Sequence, residues 1–169
     1  RTTILYLCSP TTPHGSVMDL AYLKTVLRLA RQHDFLVVMD ECYSDIWRHT
    51  PPPGMIEAAA ALAADAPNQD ALGQDAPGQD PLRNLVVLNS LSKRSGAAGL
   101  RAGFMVGDQT VITQYLKIVA NGGGLVPTPL LEVAADLYDD DDHVAAIRAY
   151  YNANFEVAAT HLQVTPPEG

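Results

Sequence analysis

Apolar positions along the chain fall into two patterns, short continuous runs and stripes at helical spacing. The continuous runs predict strands at 3–8, 35–40, 85–88 and 104–106. Between the first two strands, apolar residues recur at helical spacing and predict a helix that ends near His33, with the stripe Leu20, Leu23, Val26, Leu27 and Ala30. Further helices are predicted at 54–64, 110–120, 130–138 and 143–162. A strand–helix–strand order of this kind builds a parallel sheet, so the pattern predicts an α/β fold.

Polar residues at the helix boundaries refine these assignments. We expect Ser16 to be the N-cap of the first helix, with Asp19 in its first turn. Asp108 is predicted to cap the helix at 110–120. The acidic run 139–142 is interpreted as a solvated loop that caps the last helix, and not as a metal site. The glycines at 122–124 are interpreted as a flexible turn, because no Gly-Lys-Ser/Thr follows as in a phosphate loop.

The segment 65–83 has a biased composition, with Gly-Gln-Asp at 73–75 and again at 78–80. It has almost nothing to bury, so we interpret it as a flexible surface insertion. The other 150 or so residues have room for one core.

Composition excludes several classes of protein. The net charge of −8 argues against a general nucleic-acid binder, which needs a basic surface. No apolar run is long enough for a membrane span. The two cysteines, Cys8 and Cys42, have no metal-ligand spacing and lie beside strand-like runs, so we expect reduced packing residues.

The richest chemistry lies in the run from Ser90 to Gly103, which reads SLSKRSGAAGLRAG. Lys93 offers a primary amine for covalent chemistry, with the hydroxyls of Ser90 and Ser92 beside it. Arg101 follows eight positions later, and its planar fork suits a phosphate group. The run indicates a lysine that forms a Schiff base next to a phosphate site.

A second block lies upstream, where the apolar strand 35–39 ends in Asp40, followed by Tyr43. The carboxyl end of a buried parallel strand is a common position for functional residues, so the acid at Asp40 is a candidate site residue. A third block, SPTTPHG at 9–15, follows the first strand in the same way and contains Thr12 and His14.

Together these blocks resemble the pyridoxal-phosphate enzymes of the class I/II (fold-type I) aminotransferase family. The resemblance implies that Lys93 binds the cofactor, that Asp40 pairs with its pyridine nitrogen and that Tyr43 bonds its phenolic oxygen. It also implies that Ser90, Ser92 and Arg101 anchor the phosphate.

In the third block, Thr12 stands where the family has an asparagine that touches the cofactor oxygen and the substrate carboxylate. It lies 28 positions before Asp40, as in the family, and its hydroxyl is shorter than an amide. His14 replaces the usual threonine. We treat Thr12 as a cofactor contact and His14 as a loop residue.

The resemblance implies a three-layer α/β/α sandwich with a mostly parallel sheet, of which 1–162 would be part of the cofactor-binding large domain. Residues 163–169 would begin the small C-terminal domain. The match covers only the middle of a family member, so we expect truncation at both ends and an inactive isolated fragment. The full-length protein is expected to be a cytoplasmic homodimer acting on small amino and keto acids.

A narrower resemblance points to bacterial N-succinyldiaminopimelate aminotransferases, carried by Asn89–Ser95 and by His143, Arg148 and Tyr151. It implies amino transfer between glutamate and N-succinyl-2-amino-6-ketopimelate in lysine biosynthesis, with Arg94 as a candidate contact for a distal carboxylate. Alternatives are an aspartate or aromatic aminotransferase, a carbon–sulfur lyase, an aminotransferase-like domain of a transcription regulator, and a non-catalytic fragment.

Overall fold

A computed structural model describes residues 2–65 and 80–169 of the chain. It contains the four strands β1 Ile4–Cys8, β2 Leu36–Asp40, β3 Leu85–Ser90 and β4 Gly103–Gly107. The helices are α1 Leu20–His33, α2 Met55–Asp65, α3 Leu91–Arg94, α4 Gln109–Gly122, α5 Thr128–Asp139 and α6 Asp142–Leu162. All predicted strands and long helices are therefore confirmed, with shifts of at most two or three residues at their ends. The short helix α3 was not predicted.

The four strands form one sheet in the order β1-β2-β3-β4. β1, β2 and β3 run parallel, and β4 is antiparallel to β3. The α/β class with a mostly parallel sheet is thus confirmed. Because β1, β2 and β3 share a direction, their carboxyl ends meet at one edge of the sheet, where a ligand site is expected.

The main core lies between the sheet and one helical layer made by α1 and α2. Leu23 and Leu27 of α1 pack there with Val37 and Met39 of β2, and all four are fully buried. Val38, which lies between these two β2 positions, faces the opposite side of the sheet. Its partner in β1, Tyr6, lies on that side and is 57% exposed. The carboxyl edge is therefore supported from beneath by a rigid layer.

The start of α1 differs from the expectation. Asp19, and not Ser16, is the N-cap, because its side chain accepts a hydrogen bond of 2.7 Å from the N–H of Tyr22. The stretch 9–17 remains a loop in which the N–H of Ser16 bonds to Thr11 Oγ1 instead. Both residues are cap formers by type, and the first buried residue of the stripe, Leu23, decides where the helix begins.

The prediction for Asp108 is confirmed, and those for the acidic run and the glycines hold in part, because Asp139 ends α5, Asp142 begins α6 and Gly122 ends α4. Asp108 caps α4 by accepting from the N–H groups of Thr110 and Val111. Asp140, between α5 and α6, accepts from the N–H of Asp142 at 2.9 Å. Gly123 and Gly124 follow α4 with positive φ, as a turn requires.

Most of the predicted insertion at 65–83, namely 66–79, lies outside the described residues. Its two ends do not fit the prediction. Asp65 is the last residue of α2, and residues 80–83 form a turn in which Asp80 accepts from the N–H of Leu82 and Pro81 O accepts from Arg31.

Candidate active site at the carboxyl edge of the sheet

Asp40 occupies the centre of the carboxyl edge. It is the last residue of β2 and lies in register between Cys8 of β1 and Leu88 of β3. Its Oδ2 accepts a hydrogen bond of 2.8 Å from the Tyr6 hydroxyl, and its Oδ1 accepts one of 3.0 Å from the N–H of Cys42. Both carboxylate oxygens therefore have fixed positions.

The surroundings of Asp40 favour its charged form. Partial burial raises its pKa, but hydrogen bonds from Cys42 and Tyr6 lower it by more, so the pKa lies below its ordinary value. The same contact with Asp40, followed by burial, raises the pKa of Tyr6 to about 12. At neutral pH the pair is therefore a carboxylate and a neutral phenol, with the phenol donating.

Lys93 and Tyr43 lie close to each other at this edge of the sheet. Lys93 is in α3, which begins directly after β3, and Tyr43 is in the turn that follows β2. The Lys93 Nζ lies 5.7 Å from the centre of the Tyr43 ring, within the range of a cation–π contact. Among the described residues, the Lys93 amine makes no hydrogen bond or ion pair. Its positive charge acts to lower the pKa of Cys42, the residue directly before Tyr43, against the larger effects that raise it.

Ser90 and Ser92 form a pair of hydroxyls at the start of α3. Ser90 is the N-cap, and its Oγ accepts from the N–H of Ser92 at 3.1 Å. The two Oγ atoms lie 2.8 Å apart. Gly103 allows β4 to approach this point, since a Cβ there would lie 2.4 Å from the carbonyl oxygen of Asn89. The hydroxyl pair thus lies beside a point where β3 and β4 approach each other closely, which only a glycine at 103 permits.

Arg101 and Thr12 are less closely tied to this group. Arg101 has a left-handed φ of 55°, and its Nη1 bonds to the carbonyl oxygen of Ala98 at 3.1 Å. The carbonyl oxygen of the next residue, Ala102, accepts a hydrogen bond from the N–H of Leu91 at the start of α3. Thr12 is exposed in the loop after β1, and its backbone N–H lies near the Cys8 thiol. The structure places both at the same edge of the sheet without a described hydrogen bond between their side chains and Asp40, Ser90 or Ser92.

Arg94 does not fit the expectation of a contact for a substrate carboxylate. Its side chain is only 9% exposed, and its Nη2 donates to the carbonyl oxygen of Tyr138 at 2.9 Å and to Asp141 Oδ1 at 2.8 Å. A guanidinium held in this way faces the α5 end of the molecule. Sequence reasoning could not see this, because the partners lie more than 40 positions away.

Cys8 and Cys42 are both free, as expected, but they do more than pack. Burial, followed by the negative charge of Asp40, raises the pKa of the Cys8 thiol. Burial and a hydrogen bond to Asp40 raise the pKa of Cys42 to about 12. Both therefore remain neutral thiols, and Cys42 also helps to hold the carboxylate.

Two residues of this region, Tyr6 and Tyr138, were missed by sequence reasoning. Tyr6 bonds Asp40, and Tyr138 of α5 donates its hydroxyl to Asn89 Oδ1 at 3.1 Å. Asn89 in turn bonds the carbonyl oxygen of Glu41 at 3.3 Å. Strand alternation was an available signal for Tyr6, since it faces the same side as Cys8 and Asp40. No local pattern marks Tyr138.

The carboxyl edge of the sheet thus brings together a lysine amine, a carboxylate, a tyrosine and two serine hydroxyls. Residues 1–168 of the 169-residue chain match the model of the family described as aminotransferase class I and II. The chain therefore belongs to the class I and II aminotransferase family.

Individual relatives agree with this membership. A probable aminotransferase of Mycobacterium tuberculosis, Rv1178, is 32% identical over 88% of the chain. The crystal structure of an aminotransferase from Neisseria meningitidis covers 100% of the chain at 33% identity with a TM-score of 0.84. A probable N-succinyldiaminopimelate aminotransferase from Thermus thermophilus has the same fold, with a TM-score of 0.73 over 94% of the chain at 21% identity.

The chain spans 31% of the length of the Mycobacterium protein, 40% of the Neisseria chain and 38% of the Thermus chain. Among residues 2–65 and 80–169, no helix is long and apolar enough to cross a membrane. The same residues contain no group of three or more acidic, histidine or cysteine side chains arranged to hold a metal ion.

Proposed function

We propose that the full-length protein is a pyridoxal-phosphate-dependent aminotransferase that transfers an amino group between glutamate and a keto acid. The observation that carries this proposal is the position of Lys93, beside Tyr43 and one short turn after Ser90, at the edge where β2 delivers Asp40. Family membership supports the same reaction class.

The residues present fit the cofactor. The Lys93 amine is half-buried and contacts only an aromatic face among the described groups, so it is available for a covalent bond. The Asp40 carboxylate is ionised and fixed through both oxygens, as a partner for a protonated pyridine nitrogen requires. The Ser90 hydroxyl donates to Ser92 Oγ, which leaves the Ser92 hydroxyl to donate to a phosphate, and rotation of the Ser90 hydroxyl would supply a second donor.

Each residue then has a defined task. Pyridoxal phosphate, when bound, supplies an electron sink for the amino-acid carbon. The Lys93 Nζ holds the cofactor and, once released, takes and returns a proton at the substrate carbon. The Asp40 carboxylate keeps the proton on the pyridine nitrogen, and the Tyr43 hydroxyl donates to the phenolic oxygen.

The phosphate contacts are proposed for Ser90, Ser92 and Arg101, and the oxygen contact for Thr12. Arg101 is exposed and makes one described hydrogen bond, to Ala98 O, so its fork is free to turn towards an anion. Thr12 is exposed in a loop that follows β1 at the same edge. Residues 1–162 as part of the large domain, 163–169 as the start of the small domain, the homodimer and the cytoplasmic location belong to the same proposal.

The narrower substrate proposal is N-succinyl-2-amino-6-ketopimelate. The resemblance of Asn89–Ser95 and of the start of α6 supports it, as does the shared fold of the Thermus protein. Curated relatives also include histidinol-phosphate and aromatic amino acid aminotransferases. The amino acceptors of those two reactions are therefore the main alternatives to the succinylated keto acid. Because Arg94 is buried, the cation for a distal carboxylate must come from another residue.

The test uses the product of the complete reading frame, loaded with pyridoxal phosphate. Glutamate-dependent amination of the succinylated keto acid is compared with that of oxaloacetate, aromatic keto acids and the phosphorylated ketone that corresponds to histidinol phosphate. We expect at least a tenfold preference for the succinylated acid, about 1.4 kcal/mol of transition-state discrimination. Another acceptor winning by that margin overturns the narrower proposal alone.

The aminotransferase proposal is tested with matched lysine variants. Lys93→Arg is expected to abolish transfer with every acceptor, whereas Lys117→Arg, on the exposed face of α4, is expected to retain it. Release of pyruvate and ammonia from a sulfur amino acid without any keto acid, in the absence of transfer, would instead identify a lyase.

A further inference from the structure

The helix α3, which carries Lys93, is attached to a distant corner of the chain. This α5–α6 corner comprises residues 138–143. Arg94, the residue after Lys93, reaches it with two hydrogen bonds from Nη2, to Tyr138 O and to Asp141 Oδ1. The Arg94 Cζ also lies 5.5 Å from the centre of the Tyr138 ring. A buried guanidinium that spans 44 positions of sequence fixes both elements relative to each other.

Two further contacts repeat this attachment on either side of Lys93. On the far side, the Ser95 Oγ lies 2.9 Å from His143 Nε2 at the start of α6. On the near side, Tyr138 donates to Asn89, which directly precedes the N-cap Ser90. The segment 89–95 is therefore attached to this one corner at Asn89, at Arg94 and at Ser95.

The same helix α6 also holds the turn that carries Tyr43. Arg148 Nε donates to the carbonyl oxygen of Asp45 at 2.9 Å, and its guanidinium lies 4.3 Å from the centre of the Trp47 ring. Asn152 bonds the carbonyl oxygen of Trp47. The two segments that carry the proposed lysine and tyrosine thus share one support.

From these contacts we infer that Arg94 is a positioning residue for Lys93. This inference rests on the proposed function. Arg94 touches neither the substrate nor the cofactor in this account. It sets the position of α3 through the α5–α6 corner, and thereby the place from which the Lys93 Nζ reaches the cofactor and the substrate carbon.

The expected effect follows from the geometry of covalent catalysis. An error of about 1 Å in the position of a reacting group can cost about a hundredfold in rate. Loss of the Arg94 contacts leaves α3, only four residues long, attached to the α5–α6 corner through Ser95 and Asn89, while the buried Leu91 still anchors its first turn. The proton-transfer rate and the retention of the cofactor on Lys93 should therefore fall together, while substrate affinity changes little.

The experiment compares three variants of the full-length protein loaded with pyridoxal phosphate. Arg94→Met removes the hydrogen bonds and the charge, and Arg94→Lys keeps the charge and a single donor group. Leu62→Ala in α2 is the control, because it destabilises the separate core between α2 and the sheet. The measurements are Tm, kcat, KM for both substrates, and the rate at which the cofactor absorbance is lost on dilution.

We expect Arg94→Met to lower kcat by about 10- to 100-fold, with KM changed less than about threefold and cofactor loss about tenfold faster. Arg94→Lys should fall between Arg94→Met and the wild type. Leu62→Ala should lower Tm with less than about a twofold change in kcat and in cofactor loss.

Two results overturn the inference. One is an Arg94→Met protein whose kcat and cofactor retention match those of Leu62→Ala at an equal Tm, because Arg94 would then serve stability alone. The other is a KM rise of tenfold or more for a dicarboxylate at constant kcat, which would make Arg94 a substrate contact. A wild type that keeps no cofactor on Lys93 instead overturns the proposed function, and this inference with it.

Discussion

Replacing Tyr6 with phenylalanine removes one oxygen atom from the surroundings of Asp40 and leaves the ring in β1. The lost contact is the 2.8 Å hydrogen bond from the Tyr6 hydroxyl to Asp40 Oδ2. Oδ1 keeps its bond from the Cys42 N–H. The variant therefore tests whether the tyrosine supports the carboxylate that we assign to the cofactor nitrogen.

The magnitude follows from the type of bond and its exposure. A hydrogen bond to a charged group contributes about 1.5 to 3 kcal/mol when shielded from water. Tyr6 is 57% exposed, so solvent screening reduces this to about 1 kcal/mol. One pKa unit corresponds to about 1.4 kcal/mol, so the pKa of Asp40 should rise by less than about one unit. The carboxylate remains ionised at neutral pH, and cofactor affinity should fall only about three- to tenfold.

The sign of the pH dependence is also defined. The pKa of Asp40 is lowered in the folded state, so its contribution to stability is present above its ordinary pKa and is lost as pH falls through the folded value. Tyr6→Phe should therefore lower stability at pH 7, and its difference from the wild type should disappear as pH falls through the folded pKa of Asp40. Because the pKa of Tyr6 is about 12, the wild-type hydroxyl still donates at every assay pH below 10.

The assay measures cofactor affinity by titrating the cofactor-free full-length protein with pyridoxal phosphate. Binding is monitored through the quenching of protein fluorescence. Tyr22→Phe is the matched control, since this tyrosine of α1 is 51% exposed and its hydroxyl makes no hydrogen bond to the described residues. Equal affinities for Tyr6→Phe and Tyr22→Phe would refute the reasoning. A loss of more than about a hundredfold would also refute it, because screening would then have been overestimated.

Three other predictions concern different parts of the chain. Asp40→Ala should lower kcat by at least about a hundredfold and Tyr43→Phe by less than about tenfold, because a charge-assisted bond exceeds a neutral one; steady-state kinetics would contradict this with equal, modest losses. Hydrogen bonds from His49 lower the pKa of Glu168 to about 2, so its contribution to stability is present above 4.5 and is lost as pH falls through about 2; NMR titration of this carboxyl should show that midpoint, and one near 4.5 would contradict it. Leu27→Ala, at a fully buried position, should cost about 3 to 5 kcal/mol in denaturant unfolding, and a loss below 1 would mean that the core had been misjudged.

The sequence sufficed for the elements that depend on local pattern. Apolar runs ending in Asp40 and in Ser90 mark strands, and their shared direction brings both residues to one edge. The stripe from Leu20 to Ala30 likewise identifies α1. The N-cap was wrong because Ser16 and Asp19 are both competent cap residues, and tertiary packing of Leu23 chose between them.

The contacts that support the site depend on long-range geometry. Arg94 looked like a free cation within its own loop, and only the fold shows that the end of α5 covers it. Tyr138 and His143 reach the segment 89–95 across more than 40 positions, which no local spacing encodes. Tyr6 was the accessible exception, because alternation in β1 already placed it on the face of Cys8.

The central claim is that Lys93 binds pyridoxal phosphate covalently in the full-length protein. Borohydride reduction of the loaded protein, followed by proteolysis and mass spectrometry of the peptides, tests it most directly. We expect to find the reduced cofactor on the peptide that contains Lys93. In the Lys93→Arg variant, the corresponding peptide should carry no cofactor. Reduced cofactor on Lys24 or Lys117, with Lys93 unmodified, would contradict it.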